Sequence, residues 1–106
     1  MFVRMTFVKF NPGTTQETQR LYNEIVIPAM SKQPGLRFVH LLERAENPDE
    51  AISITAWDSR EDAERYEATG VYQQLVGRFN EFYASPPELR SYEVTVSSDP
   101  IIVRMF

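Results

Sequence analysis

The chain has 106 residues, 42% of them hydrophobic and 25% charged, with a formal net charge of −4 at pH 7. That is the length and composition of one ordinary globular domain, which excludes a second core and an intrinsically disordered chain. The eleven cations are scattered rather than clustered and there is no cysteine, which excludes a sequence-independent nucleic-acid binder, disulfides, thiolate nucleophiles and cysteine-held metals.

Phe2 to Phe10 alternates, with Val3, Met5 and Phe7 on one side and Phe2, Arg4, Thr6, Val8 and Phe10 on the other, the pattern of a β-strand with one apolar and one mixed face. Asn11-Pro12-Gly13 predicts a turn, and Thr14 or Thr15 a helix cap. Leu21, Tyr22, Ile25, Val26, Ala29 and Met30 then form an apolar helical stripe, with a kink expected at Pro28. Leu36 to Arg44 is a second strand, placing Leu36, Phe38, His40 and Leu42 on one side, and Ala51 to Trp57 is a third, paired with it as an antiparallel hairpin across a polar loop.

Ser59 with Asp62 resembles a capping box opening a helix that breaks at Thr69-Gly70, resumes through Tyr72, Leu75, Val76 and Phe79, and stops at Ser85-Pro86-Pro87. Leu89 to Ser97 is the fourth strand. The order is β-α-β-β-α-β, an α+β ferredoxin-like domain over residues 1–97 with both helices on one face of a four-stranded antiparallel sheet. The other face is expected to carry Arg4, Thr6, Phe38 or Val39, Ser53, Thr55 and Trp57. A half-apolar sheet face calls for a cover, and a homodimer is the simplest one. The tail, 98–106, has β-like composition and could add an extra strand against the second copy. Without a basic leader or an apolar run approaching about 18 residues, neither a signal peptide nor a membrane span is expected, and the absence of cysteine fits the cytoplasm.

At Trp57-Asp58-Ser59, followed by Glu61-Asp62-Ala63, the chain resembles the antibiotic biosynthesis monooxygenase (ABM) domains of the dimeric α/β-barrel superfamily. Pro28-Ala29, Pro34-Gly35, the break Ala68-Thr69-Gly70 before Tyr72, and Tyr92-Glu93-Val94 extend the likeness across residues 1–97. The resemblance implies a homodimer whose sheets face each other, with a pocket between sheet and helices in each subunit. It implies oxidation of a small phenolic, quinol or polyketide-like metabolite by O₂ with no metal or flavin. Other relatives degrade haem, are isomerases or have no established activity. The chain departs from the pattern at Tyr66 and Val71, where many relatives carry histidine. It also departs at Thr6, Tyr66 and Val76, nearest the Asn, Trp and axial His of the haem-degrading branch.

Seven residues stand out as candidates. His40, the one histidine, alternates with Phe38 and Leu42 and is either a packed strand residue or the base that serves a substrate hydroxyl. Tyr66 and Tyr72 complete the catalytic set, either as core tyrosines or as hydrogen-bond partners of a phenolate or oxyanion. They are six positions apart, about 240° on a continuous helix, so only a break at Gly70 turns both to one pocket. Trp57 either anchors the core or stacks a ligand. Arg4 pairs either with an anionic substrate or with Glu93, and Phe38 and Thr55 are read as further substrate contacts. Glu61, Asp62, Glu64 and Glu67 form a solvated helix start favoured by the dipole. No metal-ligand spacing, phosphate loop or nucleophile elbow is present in the sequence. A non-catalytic dimeric ligand-binding module and a haem-binding protein, with His40 as ligand, are the competing functions.

Overall fold

The computed structural model describes residues 1–98. Its sheet is centred on β1 (Phe2–Lys9) and β3 (Asn47–Trp57), which run antiparallel with Met5 opposite Ile54. β2 (Leu36–Arg44) flanks β3 and β4 (Glu88–Glu93) flanks β1, both antiparallel, giving the order β2-β3-β1-β4. Between β1 and β2 lie α1 (Thr15–Leu21), a π-helical turn (Tyr22–Val26) and α2 (Ile27–Met30). α3 (Arg60–Ala68) and α4 (Val71–Gly77) lie between β3 and β4. This is the expected ferredoxin-like α+β architecture. The tail proposed as an extra strand, from residue 99 onward, lies outside the described residues. No helix among the described residues is long and apolar enough to cross a membrane.

Local chemistry explains the joints. Pro28 has no N–H to offer the Glu24 carbonyl, and the chain answers by widening, so that Ile27 N–H bonds the Tyr22 carbonyl five residues back. The Thr14 hydroxyl does not cap α1; it donates to the Asn11 carbonyl instead. Ser59 does cap α3, its Oγ accepting from Asp62 N–H at 3.2 Å and donating to the Asp62 carboxylate at 2.9 Å. Gly35 has a positive φ of 81°, and a Cβ there would come within 2.3 Å of Asp62 Cγ. Only glycine fits that corner.

Phe38 lies on the uncovered face, as one of the two expected alternatives had it, but the rest of the two faces is the reverse of the expected assignment. Phe2, Arg4, Thr6, Val8 and Phe10 lie under the helices, and Val39, Leu41, Ser53, Thr55 and Trp57 lie with them. The uncovered face carries Val3, Met5 and Phe7, with their cross-strand partners Ala56, Ile54 and Ile52, and beyond these Phe38, His40 and Leu42. A register shift between Leu36 and Phe38 sends Leu36 inward beside Trp57 and Phe38 outward. The physical reason is that each polar group on the covered face finds a partner there, so burying it costs little. Arg4 Nη2 donates to Glu67 at 2.7 Å, Thr6 bonds the Tyr72 hydroxyl at 2.9 Å, and Ser53 bonds the Tyr22 hydroxyl at 2.8 Å.

Candidate functional site

Between the covered face and the helices is a cavity of about 60 Å³. Its floor is Arg4, Thr6 and Thr55, and its walls include Tyr22, Tyr66 and Tyr72, with aliphatic and aromatic residues filling the rest. Tyr66 ends up beside Tyr72 because Gly70, at φ 82°, separates α3 from α4 and re-aims the second helix. The half-buried Tyr72 and Leu75 of α4 bound the side nearest solvent.

The polar atoms of this cavity are unequally committed. Tyr22 Oη donates to the His40 carbonyl at 3.1 Å and meets Ser53 Oγ, Tyr72 Oη meets Thr6 Oγ1, and Tyr83 Oη donates to the Val76 carbonyl at 2.9 Å. Thr55 Oγ1 accepts from Trp57 Nε1 at 2.9 Å. Tyr66 Oη makes no hydrogen bond to any described residue. Arg4 spends one of its five N–H donors on Glu67. Its guanidinium also lies 4.8 Å from the Tyr72 ring centroid and 5.8 Å from that of Tyr66, a cation–π arrangement. No fully enclosed side-chain nitrogen or oxygen among the described residues lacks a partner, so the spare Tyr66 and Arg4 groups open onto the cavity.

Burial pushes the Tyr66 phenol well above its usual range, against the opposing pull of Arg4, so at neutral pH it is a hydrogen-bond donor and not a base. Burial likewise pushes Tyr22 up to about 12, with the Ser53 hydrogen bond opposing. No described cluster of His, Cys, Asp or Glu has the makings of a metal site.

The sequence profile of the antibiotic biosynthesis monooxygenase family matches residues 1–78. The chain belongs to the ABM family. No curated protein matches this ABM chain in sequence. Among solved structures it is similar to an antibiotic biosynthesis monooxygenase at 17% identity, with 91% of this chain and 100% of that one covered and a TM-score of 0.74. It is similar to Rv0793 from Mycobacterium tuberculosis at 14% identity, covering 92% and 98% with a TM-score of 0.74. A third is a variant of MhuD with two manganese protoporphyrin IX molecules bound per active site, at 18% identity, 93% and 99% coverage and a TM-score of 0.75. At these identities the likeness establishes the fold.

Of the sequence candidates, the ABM fold brings Arg4, Thr55, Tyr66 and Tyr72 to one cavity. Trp57 is fully buried behind it, its ring 5.0 Å from that of Tyr66, and supports the site rather than lining it. His40 and Phe38 do not join it. They stack on each other at 4.6 Å on the opposite, uncovered face, because strand alternation turns Val39 and Leu41 inward. Arg4 pairs with Glu67 of α3 and not with Glu93. Sequence reasoning missed Glu67, Thr6 and Ser53 as parts of the site. The signal for Thr6 and Ser53 was the mixed polarity of the strand face they share with Arg4 and Thr55; Glu67, on α3, gave none.

Proposed function

We propose that this ABM chain is a cytoplasmic homodimeric monooxygenase that uses no metal or flavin and oxidises a small phenol or quinol in the cavity. The observation that carries this is a pair of available donors, the Tyr66 hydroxyl and the N–H groups of Arg4 not spent on Glu67, side by side in an aromatic-lined space. A bound quinol loses its proton to water at the cavity mouth, and the resulting oxyanion is held by Arg4 and Tyr66. The electron-rich ring gives an electron to O₂. The superoxide and ring radical combine at carbon, and the hydroperoxide eliminates water to leave a hydroxyquinone. One oxygen atom enters the product and one leaves as water, with every electron supplied by the substrate. The protein's share is to orient the ring, hold the anion and exclude competing water.

The dimer is proposed on the strength of the uncovered apolar face. Haem fits poorly, because no histidine lines the cavity and His40 faces away from it. Oxygen uptake with hydroquinones, with chelator present and no flavin added, tests the proposal: uptake should depend on protein, and Tyr66→Phe should lower kcat/KM by about tenfold or more. Protein-independent rates with every quinol tried would overturn it. Saturable quenching of Trp57 fluorescence without uptake would favour a ligand-binding module in its place.

A further inference from the structure

We infer that the cavity is selective for an anionic compound of a single aromatic ring, and that Arg4 is the residue that sets this selectivity. The inference rests on the proposed site, but it concerns binding rather than turnover. Arg4 is 6% exposed, yet its only acceptor among the described residues is one Glu67 oxygen. The rest of its N–H groups open onto the cavity, where an acceptor on a ligand can take them. The neighbouring Tyr66 hydroxyl is also unspent, and burial keeps it protonated. A carboxylate or phenolate oxygen placed between them would satisfy both, with a charge-assisted bond from Arg4. Tyr72 and Tyr66 flank the guanidinium with their rings, so the charge is presented at the edge of an apolar slot.

Size narrows the ligand further. Water needs about 10–15 Å³ of such space, so a cavity of about 60 Å³ holds a handful of water-sized groups, which suits one six-membered ring and not a fused ring system. Glu67 is the competitor. It is one-third exposed at its side chain and also accepts from Gln73, so it has a second partner to which it can turn when an anion takes Arg4.

Titration with benzoate and with benzamide, a pair of nearly equal shape, tests this on the intact protein at neutral pH. Benzoate should bind at least about tenfold more tightly than benzamide. That ratio should collapse towards one in Arg4→Gln and persist in Arg4→Lys, which keeps the charge. Glu67→Gln, which leaves Arg4 in place, should tighten benzoate several-fold and leave benzamide unchanged, and it reports on the inference even if Arg4→Gln does not fold. Equal binding of the two probes, no response to Glu67→Gln, or tighter binding of 2-naphthoate than of benzoate would overturn it. Arg4-dependent benzoate binding without quinol oxidation would instead leave this inference standing and remove the monooxygenase.

Discussion

The two faces of the sheet come from the same four strands and differ in what completes them. The helix-covered face holds Arg4, Thr6, Ser53 and Thr55, each with a named partner, and encloses the cavity. The uncovered face holds Met5, Phe7, Phe38, Leu42, Ile52 and Ile54, with His40 stacked on Phe38 and the Arg90 guanidinium, paired with Glu88, over the Phe7 ring. The lesson runs against the usual expectation that the more apolar face is the core. Here polar residues mark the face built around the cavity, and the more apolar face is the one the helices leave uncovered.

The sharpest way to break this contrast is to damage each face separately. Trp57→Ala, at a fully buried position behind the cavity, should cost about 3–5 kcal/mol of stability in a urea titration, a large part of what a domain this size has. Ile54→Glu places an unpaired charge on the other face. It should weaken self-association by about 100-fold or more, seen as a one-chain mass by sedimentation, while the cavity-side Trp57 emission stays as it was. A dimer that survives this change would mean that the uncovered face is not the interface.

The covered face should also announce itself in alkali. The Tyr22 phenol is raised from 10.0 to about 12 by burial, so the folded state holds that proton more tightly than the unfolded chain does. Its contribution to stability is complete below pH 10 and is lost as the pH rises towards 12. Stability should therefore fall by up to about 1.4 kcal/mol per pH unit for this residue in that window. Tyr22→Phe should flatten the slope by that amount in urea midpoints taken at successive pH values. The smallest effect is expected at His40. Because it faces away from the cavity, His40→Gln should change quinol oxidation by less than about twofold. A tenfold loss would return the histidine to the site.

The element order was legible because turns and caps are local: Asn11-Pro12-Gly13, Gln33-Pro34-Gly35, Ser59 and Ser85-Pro86-Pro87 all interrupt the chain where the sequence says they should. The faces were not legible, because their assignment depends on partners far along the chain. Thr6 is acceptable under the helices only because Tyr72 reaches it, and Arg4 only because Glu67 does. Periodicity sorts a strand's side chains into two sets without saying which set is covered, and the shift at Arg37 moves Leu36 out of the set its numbering suggests. Of the seven candidates, Arg4, Thr55, Tyr66 and Tyr72 meet at the cavity, whereas His40 and Phe38 lie on the opposite face with the residues they alternate with, and Trp57 lies behind the wall.

One feature reaches beyond its own position. A methyl group built on Gly70 would touch nothing within 4 Å, so by contact alone the residue looks free to vary. Its role is one of phase. The left-handed step there resets the helical clock between Tyr66 and Tyr72, bringing two side chains into register that an unbroken helix would send about 240° apart. Lengthening or shortening this joint by one residue would re-aim Tyr72 about 100° around the helix axis without altering a single residue of the wall. The cavity's chemistry thus depends on a position that contributes no atom to it.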